Sequence, residues 1–246
     1  MTKPKRPRDH SNTHWLYGLH PCYTALCNEK RRIHSIMLTD NIAEKLRHDG
    51  IKLPFSPTIV SNAELSKILP AQALHQGIAL SVEPLAEAEW EEILDAKRLL
   101  ILDQISDPHN VGAILRSAAA FAIDALITTE RNSASEGSIM AKAACGALDI
   151  VSIATVTNLA HTLDELKDNG FWCVGLDGEA KDSLHNFDPP EKIALVLGAE
   201  GKGLRRLTKE RCDILLSIPM PGNMESLNVS NAAAITLYQL SLKQKK

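Results

Sequence analysis

The second half of the chain alternates short apolar segments with segments of helical character, and this alternation restricts the possible folds more than any other feature. Several apolar residues in a row predict strands that are buried on both faces of a sheet. In chain order, the predicted strands are RLLILDQI, ALITT, IVSIATV, FWCVGLD, KIALVLGAE and DILLSIPM. The predicted helices are NVGAILRSAAAFA, SIMAKAACGAL, NLAHTLDELKDNG, LRRLTKERC and NVSNAAAITLYQLSLKQ. This order favours a parallel α/β sheet over residues 98–246.

The first part of the chain predicts a smaller α/β domain over residues 14–83. Its expected elements are the strands IHSIMLT and HQGIALSVE, the helix NIAEKLRHDG, and TIVSNAELSKIL as a strand, a Ser or Asn cap and a helix. Pro21 can serve as the first residue of an earlier helix, and Gly50 as the stop of NIAEKLRHDG. Residues 1–13 predict a flexible basic arm without apolar periodicity. Residues 84–97 predict an acidic linker with some helical character.

The composition excludes several classes of protein. Hydrophobic residues make up 44% of the 246 residues, which is enough for a core, and no apolar stretch is long enough to span a membrane. The start, MTKPKRPRDH, lacks the apolar run of a secretory signal. The five cysteines form no CxxC pair, so the pattern favours reduced thiols in a cytoplasmic protein over a zinc site or a redox motif. No metal-binding cluster is evident.

Charge is distributed unevenly along the chain. Residues 1–82 hold eleven Lys and Arg against six Asp and Glu, whereas residues 83–97 hold six acids and one base. A basic N-terminal part indicates an anionic partner such as nucleic acid. A solvated surface with a flexible tail explains the same excess, so charge alone leaves both interpretations open.

Three polar segments follow predicted strands, at the edge where open parallel sheets bind ligands. The first is DPHNVGAILRSAAAF, in which Asn110 lies near the start of a helix and Arg116 lies further along it. Small residues make this helix slim enough for close packing against a backbone or a ligand. An Asn N-cap and a surface Arg are the simpler explanation of this segment taken alone.

The second segment, LVLGAEGKGL, leads from a buried strand into a glycine-rich turn that contains Gly198 and Glu200. Its glycines permit positive φ and close approach of backbones, but their order is not that of a dinucleotide fingerprint or a P-loop. A simple tight turn is one explanation. A carboxylate between glycines is also well placed to pair with a basic residue.

The third segment, SIPMPGNMESLNVSNAAAITLY, leaves a strand through a prolyl loop and enters the last predicted helix. Ser226, Asn228 and Ser230 are all possible caps of that helix, but capping uses one side chain. The surplus of small polar residues therefore indicates a further role.

In order, these segments resemble the three motifs of the SpoU-type branch of the SPOUT RNA methyltransferases: N-x-x-x-x-x-R, G-x-E-x-x-G and I-P-M-x-G-x-x-x-S-L-N-V-S. YGLHPCYTAL and HQGIAL resemble the substrate domain of that family, so the resemblance covers nearly the whole chain past the arm. The match is best to the enzymes that methylate a guanosine ribose in large-subunit (23S) ribosomal RNA. The tRNA-directed relatives share the motifs but usually lack this N-terminal domain.

The resemblance implies a fold, a cofactor and partners. The catalytic domain would be a parallel-sheet SPOUT domain with a deep trefoil knot, which is a rare exception to the rule that chains do not thread. The N-terminal domain would be a small α/β substrate-binding domain similar to a ribosomal-protein fold. The family transfers a methyl group from S-adenosylmethionine to a ribose 2′-hydroxyl of RNA. Its members form homodimers that bury the C-terminal helix, and neither DNA nor a membrane is an expected partner.

By motif match, the resemblance implies an active-site set of Asn110, Arg116, Glu200, Ser226 and Asn228. It also implies that S-adenosylmethionine lies among Gly198, Ile218 and Leu227, held largely by backbone contacts. Arg116 would meet the target phosphate or hydroxyl, and Glu200 and Asn110 would orient it. Because a guanidinium stays protonated, a positioning and electrostatic role is favoured over that of a general base. His20 and His109 are expected to be structural or RNA-surface residues.

Three other functions remain possible at this point. A tRNA ribose methyltransferase would share the motifs, and the N-terminal domain argues against it. A non-catalytic RNA-binding factor for ribosome assembly would not need Arg116 and Glu200. A nucleotide-dependent dehydrogenase is suggested by glycine-rich loops and α/β alternation, but the glycine order argues against it.

Overall fold

The computed structural model describes residues 13–224 and 226–243 of the chain. They form two compact units, divided between Ala86 and Glu87, and each unit is described by itself below. The predicted basic arm lies outside the described residues except for its last residue. None of the helices in the two described ranges has both the length and the hydrophobicity that a membrane crossing requires.

The N-terminal unit is a four-stranded sheet with three helices, as the predicted α/β character requires. Its strands are β1 (His14–Tyr17), β2 (Ile33–Leu38), β3 (Thr58–Ile59) and β4 (Ile78–Val82). Its helices are α1 (Leu19–Cys27), α2 (Asp40–His48) and α3 (Asn62–Ile68). The strand order is β1-β4-β2-β3, in which β4 runs antiparallel to β1 and β2 while β3 runs parallel to β2.

Local sequence signals explain the helix ends in this unit. Ser61 caps α3, because its side chain accepts from the Glu64 N–H while the Glu64 carboxylate accepts from the Ser61 N–H at 2.8 Å. The predicted stop of α2 at Gly50 is confirmed, since Gly50 has a φ of 71° just past the helix. The prediction that Pro21 begins α1 was wrong. The helix begins at Leu19, and Pro21 fits in the first turn because an N–H there has no intrahelical acceptor.

The C-terminal unit is a seven-stranded sheet in which every strand pair is parallel, and this confirms the predicted architecture. Its strands are β5 (Arg98–Asp103), β6 (Ala125–Thr129), β7 (Ser152–Val156), β8 (Trp172–Leu176), β9 (Asp182–Ser183), β10 (Ile193–Gly198) and β11 (Ile214–Ser217). Its α-helices are α4 (Trp90–Asp95), α5 (Pro108–Ala120), α6 (Ser138–Ala144), α7 (Leu159–Asp168), α8 (Arg206–Arg211) and α9 (Val229–Leu242). Short 3₁₀ turns occupy Ala147–Asp149 and Leu184–Asn186.

The strand order, β7-β6-β5-β10-β8-β11-β9, places β5 next to β10 near the middle of the sheet. The chain leaves β5 toward β6 and β7 on one side and forms the other four strands on the opposite side. Ligands of open parallel sheets bind at such a reversal, outside the carboxyl ends of the strands. The threading of the C-terminal segment into a knot stays a prediction.

Candidate active site

The carboxyl ends of β5 and β10 lie side by side, with Asp103 opposite Gly198 in the strand register. The segment after β5 turns into α5, whose N-cap is Asp107; the Asp107 carboxylate accepts from the His109 N–H at 3.1 Å. Asn110 is therefore inside the first turn of α5. The simpler explanation of Asn110 as an N-cap is wrong, and its amide is available for contacts with other segments.

Asn110, Glu200 and Asn228 form a hydrogen-bonded cluster. The Asn110 Nδ2 donates to Glu200 Oε1 at 3.1 Å, and the Asn228 Nδ2 donates to Glu200 Oε1 at 2.5 Å and to Asn110 Oδ1 at 3.0 Å. Glu200 Oε1 also lies 3.3 Å from the Val229 nitrogen, whose N–H donates to it. One residue from each of the three sequence motifs thus meets at a single carboxylate.

A tight turn after β10 presents Glu200 to the cluster. The Gly203 N–H donates to the Ala199 carbonyl at 2.8 Å, which closes the turn. A Cβ on Gly198 would lie 2.2 Å from the carbonyl carbon of Gly203, so the two arms of the turn approach too closely for a side chain. The tight turn and the positioned carboxylate, weighed as alternatives from the sequence, therefore occur together. The expectation of a basic partner was wrong, because the described partners of Glu200 are two amides and a backbone N–H.

Asn228 is the N-cap of α9 and uses both ends of its amide. Its Oδ1 accepts from the Ser230 N–H at 2.9 Å and from the Ser230 hydroxyl at 2.6 Å. Its Nδ2 donates to Glu200 and Asn110. Ser226 does not share this role: its side chain is exposed and makes no hydrogen bond with a residue that the structure describes. Only one of the three candidate polar residues caps the helix.

Arg116 lies apart from this cluster within one chain. It is exposed, and no described residue forms a hydrogen bond or ion pair with it. It lies six positions after Asn110 in α5, which corresponds to about 120° around the helix axis and roughly 9 Å along it. In the single chain, neither Glu200 nor Asn110 forms a hydrogen bond with Arg116, so the expectation that they orient it stays a prediction.

The segment between β11 and α9 has the properties needed to hold a cofactor through its backbone. It contains Ile218 and Leu227, both of which are partly exposed. Leaving aside Glu225, the backbone groups of residues 218–227 make no hydrogen bonds with described residues. Unpaired backbone N–H and C=O groups beside accessible apolar side chains suit a purine nucleoside, which offers both polar edges and a flat apolar face. Gly198 ends the neighbouring strand β10.

Neither of the two histidines considered from the sequence takes part in the hydrogen bonds of the cluster. His20 and His109 are both exposed. Among the described residues, no group of three or more His, Cys, Asp and Glu side chains is arranged to hold a metal ion.

Sequence reasoning missed an ion pair at the same strand ends. Asp103, the last residue of β5, has a fully buried carboxylate whose Oδ1 lies 2.6 Å from Arg205 Nε. The only sequence signal was an acid at the end of an apolar strand, RLLILD, and nothing in the sequence indicated its partner.

Comparison with known families matches both units. Residues 97–238 match the SpoU rRNA Methylase family, and residues 15–88 match the family described as RNA 2′-O ribose methyltransferase substrate binding. The chain therefore belongs to the SpoU rRNA methylase family and is an RNA 2′-O-ribose methyltransferase.

Curated relatives carry a more specific name. The 23S rRNA (guanosine-2′-O-)-methyltransferase RlmB of Pseudomonas aeruginosa is 37% identical over 243 residues, which cover 92% of this chain and 94% of the relative. The RlmB of Xanthomonas campestris is 38% identical, with the same shares of 92% and 94%.

Solved structures share the fold. The SpoU methyltransferase AviRb from Streptomyces viridochromogenes, in complex with the cofactor AdoMet, has a TM-score of 0.79 at 20% identity and covers 95% of this chain and 91% of its own. The TrmH/SpoU tRNA modifying enzyme of A. aeolicus has a TM-score of 0.53 at 31% identity and covers 62% of this chain and 79% of its own.

Proposed function

We propose that this protein methylates the ribose 2′-hydroxyl of a guanosine in 23S ribosomal RNA, with S-adenosylmethionine as the methyl donor. The observation that carries the proposal is the Asn110–Glu200–Asn228 cluster, in which the three family motifs meet at the carboxyl ends of β5 and β10. The relatives named as 23S rRNA (guanosine-2′-O-)-methyltransferases match over nearly the whole chain. A ribosomal RNA substrate implies action in the cytoplasm.

S-adenosylmethionine would supply an electrophilic methyl group on a sulfonium. Residues 218–224, 226 and 227, whose backbone groups make no hydrogen bonds with described residues, would hold it, with Gly198, Ile218 and Leu227 around it. Methyl transfer to an oxygen requires the acceptor, the methyl group and the leaving sulfur to be aligned. The cluster supports that alignment because it ties the turn after β10 to the starts of α5 and α9, so the segments around the cofactor keep a fixed spacing.

In this proposal, Arg116 binds the RNA instead of abstracting a proton. It is exposed and makes no ion pair with a described residue, and its guanidinium offers several N–H donors and a positive charge. It is therefore suited to a phosphate or to the charge that develops on the attacking oxygen. The hydroxyl proton would leave to a phosphate or to water. Ser226, whose hydroxyl makes no hydrogen bond with a described residue, would contact the substrate or the cofactor.

We assign substrate binding to residues 14–83 and the linker to residues 84–97, with the methyltransferase domain at residues 98–246. The family match over residues 15–88 supports the first assignment. Residues 1–82 hold eleven basic residues against six acidic ones, and four of those bases lie within residues 1–13. This excess favours phosphate contacts by the N-terminal part of the chain, so RNA binding should weaken as salt is raised.

We also propose that the protein is a homodimer that buries one face of α9. Ile235, Tyr238 and Leu242 follow one another at helical spacing and are 43%, 53% and 61% exposed. Large apolar side chains on one face of a helix favour a protein interface, and a second copy of the same helix offers a self-complementary partner. Phe121 extends this surface, with its ring 6.1 Å from that of Tyr238.

The rival substrate is tRNA, and coverage argues against it. The tRNA-modifying structural relative covers 62% of this chain, whereas the RlmB relatives cover 92%. The test is methyl transfer from labelled S-adenosylmethionine to unmodified 23S rRNA and to total tRNA, each taken from cells that lack this protein. Label in 23S rRNA supports the proposal, and label in tRNA alone contradicts it.

A further inference from the structure

Asp103 and Arg205 form an ion pair that lies outside the three sequence motifs. The Asp103 side chain is 0% exposed, whereas that of Arg205 is 45% exposed. The Arg205 Nε donates to Asp103 Oδ1 at 2.6 Å, and the Arg205 backbone N–H donates to Asp103 Oδ2 at 3.1 Å. A single buried carboxylate therefore fixes both the main chain and the side chain of this arginine.

The ion pair uses only the Nε of the guanidinium. No described residue accepts a hydrogen bond from Nη1 or Nη2 of Arg205, and almost half of the side chain is exposed. The guanidinium is a planar fork whose geometry matches two oxygens of a phosphate. An arginine that is already held at Nε loses less side-chain freedom on binding than a free surface arginine, so it can bind an anion at a lower entropic cost.

The position of Arg205 connects it to the active site. It follows the turn that carries Glu200, and its partner Asp103 lies opposite Gly198 in the strand register. Lys202, within that turn, is exposed and forms no ion pair with a described residue. Two basic residues, Lys202 within the turn and Arg205 just after it, therefore lie in the segment that follows β10.

The next residue in the chain, Arg206, forms a different kind of ion pair. Arg206 is 77% exposed, and its Nη1 donates to Glu210 at 2.6 Å one helical turn away. An i,i+4 pair of this kind contributes to the stability of a surface helix, and the side chains of both partners are largely exposed. Arg205 and Arg206 are therefore adjacent residues of equal charge, and of the two only Arg205 is held in place by a buried carboxylate.

We propose that Arg205 binds a phosphate of the substrate RNA, pre-oriented by Asp103, close to the nucleotide that is methylated. This inference rests on the proposed function, because it assumes that RNA enters at these strand ends. The contact would place the RNA backbone in register with the site without reading its sequence. Asp103 is then a positioning residue, and Arg205 is a substrate contact.

The test compares two variants that each remove one arginine charge. The first is Asp103→Asn combined with Arg205→Gln, because Arg205→Gln alone would leave a buried carboxylate unpaired. The matched control is Arg206→Gln. Binding of the methyl-accepting 23S rRNA transcript is measured over a range of salt concentrations, together with the KM for S-adenosylmethionine and the Tm.

The double variant should bind RNA roughly tenfold more weakly, which is the loss in affinity expected when one hydrogen bond to a charged group is removed. Its plot of log Kobs against log salt should be shallower by about 0.7 to 0.9, the contribution of one phosphate. The KM for S-adenosylmethionine should not change. Arg206→Gln should keep the wild-type slope, and Arg205→Lys, which keeps the charge, should keep most of it.

The inference would be overturned if the double variant bound RNA with the affinity and the salt dependence of the wild type. Normal methylation by the wild type in the same experiment would leave the proposed function intact. An equal loss of slope in Arg205→Lys would also overturn it, since that loss could not come from charge. Failure of the wild type to bind or methylate 23S rRNA would contradict the proposed function as well.

Discussion

Glu200 accepts a hydrogen bond from Asn228 at 2.5 Å through Oε1, and the same oxygen accepts from the amide of Asn110 at 3.1 Å. These contacts join residues that are 28 and 90 positions apart in the chain. The Val229 N–H, at the start of α9, is a third donor to this oxygen. No described residue donates to Oε2, which leaves that oxygen available to a ligand.

The cluster predicts that Asn228→Asp impairs methyl transfer. An aspartate keeps the oxygen that caps α9, but it loses the Nδ2 donor and brings a second carboxylate against Glu200. Two carboxylates in contact repel, so kcat/KM should fall at least about tenfold, or about 1.4 kcal/mol of transition-state stabilisation. Asn231→Asp adds the same charge at an exposed position of the same helix and should stay active. Equal activity of the two variants would contradict the importance of the cluster.

The turn after β10 predicts that Gly198→Ala destabilises the fold. The added methyl group would meet the backbone of Gly203 at 2.2 Å, and a backbone cannot rotate away as a side chain can. The free energy of unfolding should fall by about 3 kcal/mol, at the upper end for overpacking. Gly178→Ala is the matched control, because no heavy atom lies within 4 Å of a Cβ at that position. Urea unfolding of both variants measures the difference, and equal stability would show that the turn can relax.

Two thiols predict a loss of stability at alkaline pH. Burial, together with the negative charge of Asp213, raises the pKa of Cys173 and of Cys212 to about 12, from an ordinary value of 9.0. The folded state thus keeps protons that the unfolded chain releases between those values. This contribution to stability is present below about pH 9 and is lost as pH rises toward 12.

The free energy of unfolding should therefore decrease from about pH 9 to about pH 11, and it should decrease less in a variant with Cys173→Ala and Cys212→Ala. Cys27 is exposed, so Cys27→Ala should keep the wild-type dependence. Chemical denaturation at several pH values tests this. If the free energy of unfolding of the double variant decreased as much as that of the wild type, groups other than these two thiols would be responsible.

The proposed dimer predicts that Tyr238→Glu produces monomers. A carboxylate in the middle of the exposed face of α9 would have to be desolvated when two copies associate. Light scattering after size-exclusion chromatography should show half the wild-type mass. Leu207→Glu replaces a residue of α8 that is 51% exposed and should leave the mass unchanged. A monomeric wild type would contradict the proposal directly.

Much of the fold could be predicted because the local signals agree with the final structure. The buried strands β5 and β10 are continuous apolar segments, and Ser61 and Gly50 mark helix ends by chemistry that acts over a few residues. The two-residue strands differ: β9, Asp182–Ser183, was not predicted, because so short a strand carries no periodicity and exists only through its pairing with β11.

The sequence predicted which residues belong to the site but not which hydrogen bonds they form. Resemblance to known motifs supplied Asn110, Glu200 and Asn228, yet the contact between Asn228 and Asn110 spans 118 positions and depends on how the strands are ordered. The same dependence hid Asp103 and Arg205, which are 102 positions apart. The resemblance implied that Glu200 and Asn110 orient Arg116, and the hydrogen bonds of the single chain join Glu200 and Asn110 to Asn228 and not to Arg116.

Transfer of the methyl group to a ribose 2′-oxygen by the site at these strand ends can be measured directly. The measurement is alkaline hydrolysis of 23S rRNA labelled by the wild type and by Glu200→Ala. A ribose without its free 2′-hydroxyl cannot cleave the adjoining phosphodiester, so we predict that the wild-type label is recovered in alkali-resistant dinucleotides that contain guanosine. The Glu200→Ala variant should give little label. Recovery of the label in mononucleotides would show that a base is methylated, and that result would contradict the account.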